Sequence, residues 1–105
     1  MEEILTSKLE LLKLMYGQEM IGIIKEMDDH YVVDHPYFLL PHSDGILLIS
    51  NTIYGDPLNQ IKMPRNMVMF KTQIKKAYYE RIAQKWFENI NQDNLSKVVL
   101  DAISD

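Results

Sequence analysis

The stretch "YGQEMIGIIKEMDDHYVVDHP", Tyr16 to Pro36, decides how the fold is read. Two glycines, Gly17 and Gly22, precede an apolar run, a polar corner at Asp28-Asp29-His30 and a second apolar run. Met20-Ile21-Gly22-Ile23-Ile24 is rich in β-branched residues, and Tyr31-Val32-Val33 is a good strand core. The corner between them has hairpin length. Gly17 fits a turn after a preceding strand. Gly22 falls inside a strand, where a missing side chain permits a sharp bend or a close backbone approach. The pattern predicts a bent β-hairpin of a small barrel whose polar corner faces a ligand.

Working outward, "EEILTSKLELLKLMYG" fits a helical stripe through Ile4, Leu5, Leu9, Leu12 and Met15 and a strand alternation at Leu12 and Leu14. A short N-terminal helix followed by a strand satisfies both. Pro36 and Pro41 bracket Tyr37-Phe38-Leu39-Leu40, which reads as an edge strand or an irregular extended segment. Asp44-Gly45 marks a turn and Ile46-Leu47-Leu48-Ile49 starts a strand; "YGDPLNQ", Tyr54 to Gln60, is a loop. Ile61 to Phe70 reads as two extended pieces broken at Pro64-Arg65-Asn66. Two helices follow. The first begins near Thr72 as N-cap, with Ile74, Tyr78, Ile82, Trp86 and Ile90 at i+4 steps. The second follows Asn91-Gln92-Asp93, with Leu95, Val98, Val99, Ala102 and Ile103 as its apolar stripe. The expected organisation is a β-barrel domain over residues 1–70 and a helical extension over 71–105, packed on the barrel or on a neighbouring subunit.

The chain has 105 residues, enough for one core and too few for two. At 47% apolar and 25% charged it is an ordinary globular composition, not a disordered one. No apolar run approaches the roughly 20 residues needed to span a membrane, and no secretory leader pattern opens the chain. The absence of cysteine excludes disulfides and thiolate metal sites. A cytoplasmic protein, or the product of a cytoplasmic parasite such as a virus, is the expectation. The net charge of −4 is unevenly spread. Residues 62–85 carry Lys62, Arg65, Lys71, Lys75, Lys76, Arg81 and Lys85 against Glu80 alone, while the segments on either side are acidic. Such a block is either a local positive field for an anionic partner or a solvated lysine face.

The segment Gly17 to Val33 resembles the first signature of the Sm and Sm-like (LSm) proteins, supplying Gly17, Gly22, Ile24, Asp29 and Tyr31 at its positions. Arg65-Asn66, before Met67-Val68-Met69-Phe70, resembles the Arg-Gly pair of the second signature, and Asn is the best non-glycine stand-in where φ must be positive. The match covers residues 9–70. Two positions depart from the family: Val32 stands in place of a base-binding Asn, and Asn66 in place of the glycine. The resemblance implies a mainly β fold, a small, strongly bent, five-stranded antiparallel Sm-like (SH3-like) barrel, here with two C-terminal helices. It also implies a homo-oligomeric ring of six or seven subunits, closed by edge-strand pairing, that contacts single-stranded, uridine-rich RNA. Carried over residue by residue, Tyr31 would be the stacking platform, Asp29 an orienting carboxylate and Arg65 the cation near base or phosphate, with His30 and Asn66 beside them. Stacking on an aromatic suits any base, and Arg offers a planar donor fork. Val32 has no polar side-chain atom, so base selection shifts to His30 or to backbone groups, or RNA binding is lost.

Other chemistries find less support. His30, His35 and His42 with Asp28, Asp34 and Asp44 match no zinc spacing, so no metal and no cofactor is expected. Tyr78-Tyr79 and Trp86-Phe87 among Lys75, Lys76, Arg81 and Lys85 could form a basic-aromatic face, but Tyr78, Ile82 and Trp86 share one helical face and read better as core. No phosphate loop, Ser/His/Asp context or paired carboxylates suggest an enzyme. Two readings compete. One is an RNA-binding Sm-like oligomer; the other is a structural or assembly protein, viral in one version, that uses the fold only for subunit pairing.

Overall fold

The computed structural model describes residues 8–43, 45–52 and 55–103, with side chains described through residue 92. The fold is a mainly antiparallel β-sheet with one C-terminal helix: β1 (Glu10–Leu14), β2 (Glu19–Glu26), β3 (His30–His42), β4 (Gly45–Ser50), β5 (Gln60–Pro64), β6 (Val68–Gln73) and α1 (Lys76–Ile103). A single 3-10 turn, Arg65–Met67, joins β5 to β6. The strand order is β4-β3-β2-β1-β6, with β5 also paired to β3. The expected short N-terminal helix lies mostly outside the described residues.

Strand β3 organises the sheet. One of its edges pairs with β2 from Tyr31 to Leu39. The other is divided, His30–Asp34 pairing with β5 and Tyr37–His42 with β4. Tyr37–Leu39 is therefore interior, paired on both sides, not the edge or irregular piece the flanking prolines suggest, while Leu40 pairs with β4 alone. Pro36 is accommodated at a break in the ladder: Ile21 pairs with Tyr37 but Ile23 pairs with Asp34, so β3 carries one extra residue opposite Gly22. Pro41 lies past Leu39, the last residue paired with β2.

The extra residue changes which side chains share a face. Strand side chains alternate with a period of two, yet Tyr31, Val33 and Phe38 lie together in one cluster while Tyr37 lies in the other. The first cluster, Leu12, Leu14, Met20, Ile24, Tyr31 and Val33, fills the face away from the helix. The second joins Leu9, Leu11, Ile21 and Tyr37 of the sheet to Ile74, Ile82, Trp86 and Ile90. Both faces of the central strands are thus apolar and covered, which explains the dense apolar runs of β2 and β3.

Gly22 makes the bend sterically feasible. A Cβ there would lie 2.5 Å from Val33 Cγ1 and 2.7 Å from the Asp34 carbonyl oxygen. Opposite it, His35 adopts a positive φ of 50°, a conformation uncommon for a residue with a side chain. Three contacts hold it there: its N–H donates to Asn59 O at 2.7 Å, its carbonyl accepts Trp86 Nε1–H at 2.8 Å, and its ring meets the Trp86 ring edge-on at 6.0 Å. Gly17, at φ 93°, turns the chain between β1 and β2, its N–H donating to Leu14 O.

Three expectations are corrected. Among the described residues the sheet has six strands, not five, because two separate strands, β4 ending at Ser50 and β5 starting at Gln60, run along one edge of β3; Asn51 bonds Leu58 and the Pro36 carbonyl just past β4. The sheet is open, not a closed barrel. Among the described residues no ladder joins its end strands β4 and β6, and α1 covers the face flanked by them, with Ile46 and Leu48 packed against the helix cluster. Finally, one continuous 28-residue helix replaces two. Thr72 belongs to β6, paired with Leu11, since a β-branched residue with a free ladder partner favours the strand. Asn91-Gln92-Asp93 contains neither Gly nor Pro, and such residues cost less than about 0.7 kcal/mol each inside a helix, too little to break it.

Two predictions follow from this packing. Gly22→Ala should destabilise the fold by about 1–3 kcal/mol through overpacking against backbone, read as a lower urea midpoint with an unchanged slope. Burial holds the His35 imidazole below its ordinary pKa of 6.5, partly offset by the Asp34 charge. Its contribution is fully present above that value and declines as pH falls through it towards the lower folded-state pKa, because the unfolded chain there binds more protons. The stability difference between wild type and His35→Asn should therefore shrink on acidification from pH 8 to pH 5. A difference independent of pH would rule out this role.

Candidate functional site

Pairing of His30 with Pro64 and Tyr31 with Met63 brings the β2–β3 turn beside the 3-10 turn. The two sequence signatures thereby meet. Arg65 spans them: Nε donates to Asp28 O at 2.8 Å, Nη2 to Met27 O at 2.6 Å, and Nη1 approaches Glu26 Oε1 at 3.1 Å. Its backbone N–H reaches Asp29 O at 3.4 Å. The guanidinium carbon sits 5.1 Å from the centre of the Tyr31 ring, a cation–π distance. The Tyr31 hydroxyl donates to Glu26 Oε1 at 3.4 Å.

The candidate residues are therefore neighbours in different states. Tyr31 is only 8% exposed and belongs to the core cluster, with Arg65 over its ring. Arg65 and Asn66 are exposed on the 3-10 turn, where Asn66 does not take the positive φ expected of a glycine stand-in. Asp29 projects into solvent, its Oδ1 accepting from His30 Nδ1 at 2.5 Å. That hydrogen bond and the His30 charge hold the Asp29 carboxyl below its ordinary pKa, helped by a backbone bond and, more weakly, by Lys62. Val32 is half-buried and pairs with Lys62. Among the described residues no three His, Asp or Glu side chains converge on a metal site.

Sequence reasoning overlooked Glu26, which joins Arg65 and Tyr31. It stands directly across the ladder from Tyr31, and residues flanking a short hairpin turn form such opposed pairs, so the hairpin spacing contained the signal. The basic-aromatic face resolves as core for Ile82 and Trp86, while Tyr78 is 43% exposed. Within the basic block, Lys71 faces Glu10 at 3.6 Å and Lys85 donates to Ile46 O at 2.9 Å.

The geometry makes Arg65 first a clamp. A carbonyl-bonded guanidinium offsets the polar groups of a tight turn at about 0.5–1.5 kcal/mol per net hydrogen bond. Arg65→Ala should lower stability by about 1–2 kcal/mol on that basis and speed amide exchange at Met27 and Arg65. Arg65→Lys should recover little, because a point ammonium cannot span three acceptors.

No protein-family model matches this chain, and no curated protein matches it either.

Proposed function

We propose that the chain is a divergent Sm-like protein that works as a self-assembling module, adding copies edge to edge through β4 and β6. The observation that carries this is the pair of end strands: each has a ladder partner on one side only among the described residues. Both display apolar side chains, Leu47 at 43% exposure on β4 and Met69 and Phe70 at 57% and 50% on β6. Exposed apolar edges invite pairing with another chain unless something blunts them. Because β4 and β6 lie at opposite ends of the sheet, their pairing is heterologous and generates a ring when the rotation closes. The two signatures meeting through Arg65 support the Sm-like kinship.

A second reading, contact with single-stranded RNA, rests on the exposed side of the Arg65 guanidinium over Tyr31. Arginine planes accept stacked bases, and Lys62 and His30 lie alongside. Against it stand the Glu26 carboxylate on the same guanidinium, its donors already spent on the Met27 and Asp28 carbonyls, and the absence of a polar side chain at Val32. Assembly is therefore the primary function, with RNA contact subordinate to it.

Light scattering should give a mass several times the 12.4 kDa of one chain. Leu47→Lys or Met69→Lys should lower that mass without changing the circular dichroism. A wild-type monomer at working concentration sinks the assembly reading. Fluorescence-anisotropy titration with labelled oligo-uridine and oligo-adenine then addresses RNA. Binding that weakens with salt and with Arg65→Ala or Lys62→Ala supports contact, whereas an intact oligomer binding neither RNA leaves assembly alone.

A further inference from the structure

A groove of about 580 Å³ opens between the first turns of α1 and the sheet, a volume in the range of ligand and peptide sites. Its floor is apolar, with Leu11, Leu39, Ile46, Ile74 and Ile82, and its rim carries Lys75, Tyr78 and Arg81 with Glu19. Lys75 and Arg81 form no ion pair among the described residues, whereas Arg65 and Lys71 each do. The groove thus offers an apolar bed with two uncommitted cations against one carboxylate. Its complement is an apolar stripe carrying negative charge.

We infer that this groove receives the C-terminal part of α1 from a neighbouring copy of the chain. Residues 93–105 contain three Asp against one Lys, and apolar residues recur at Leu95, Val98, Val99, Ala102 and Ile103. In helix this spacing makes a single stripe, and the backbone is helical through Ile103. Helix-in-groove recognition uses such i, i+3, i+4, i+7 anchors, and a helix already formed avoids most of the ordering cost of docking. A chain cannot fill its own groove this way. The groove lies at the start of α1, and Leu95 is nineteen residues beyond Lys76, about 28 Å along the axis at 1.5 Å per residue. The contact is therefore head-to-tail between copies. It presupposes the self-association proposed above but not its strand pairing.

The chain contains no cysteine, so disulfide trapping in it has no background. Tyr78→Cys on the groove rim and Val99→Cys in the stripe would be made singly, mixed and mildly oxidised. A docked pair reacts at its effective rather than its bulk concentration, so the mixed dimer should form about tenfold or more faster than with Lys25→Cys, at the exposed end of β2, as the groove-side control. Arg81→Glu added to the Tyr78→Cys chain should slow it. Equal rates for the two mixtures would overturn the inference. So would ring closure within one chain carrying both Tyr78→Cys and Val99→Cys, or within one carrying Leu5→Cys and Tyr78→Cys, which would give the groove to the chain's own N-terminal segment. A mixture of Leu47→Cys and Met69→Cys chains reports the strand edges separately. Cross-linking there without cross-linking at the groove sinks the helix docking and leaves edge pairing standing; the reverse result does the opposite.

Discussion

The rest of the structure depends on one close approach, that of Gly22 to Val33 and the Asp34 carbonyl. With no room for a β-carbon at this crossing, β2 and β3 bend together, and the extra residue at His35 lets β3 switch faces. Before the switch, Tyr31 and Val33 point into one core cluster; after it, Tyr37 points into the other, the cluster that holds Trp86. A regular β3 would place Tyr37 on the face of Val33, removing it from the cluster that packs on the helix. The strained His35 backbone is held by Trp86 and Asn59, so the helix and the long loop are anchored at the same residue that bends the sheet.

This explains which parts were legible in the sequence. The two glycines, the hairpin corner and the Pro64-Arg65-Asn66 break announced themselves, because turn chemistry is local. Gly22 could be read as a close approach without knowing what approached it. The interior position of Tyr37–Leu39 was hidden, since proline argues against a central strand unless a bulge accommodates it, and the bulge depends on tertiary contacts with Trp86 and Asn51. The single helix was hidden for the opposite reason: Asn91-Gln92-Asp93 looks like a cap locally, but nothing there is costly enough to stop a helix already under way. At the site, the meeting of the two signatures was legible. Burial of Tyr31 is the commoner fate of a strand aromatic, and the structure takes it over the stacking role, which strand periodicity alone left open.

The chemistry at the two turns is economical in its use of charge. Arg65 directs its donors at turn carbonyls and at Glu26, and its plane at Tyr31, so one cation closes a hairpin, pairs a carboxylate and covers an aromatic. A guanidinium so engaged is well oriented but has few donors left for phosphate. The basic block contains the same distinction: Lys71 and Lys85 have partners within the fold, whereas Lys75 and Arg81 stand at the groove. Net charge along a sequence does not separate these cases; the partners do.

The same bend bears on the assembly proposed above. Heterologous pairing of β4 with β6 would close into a ring only at a suitable angle between the two end strands, and the turn of β2 and β3 at Gly22 and His35 contributes to that angle. The proposed docking of a neighbour's helix in the groove would need the rotation between copies to bring the far end of one α1 to the near end of the next. Both proposals would then depend on how the sheet bends at a residue that carries no side chain.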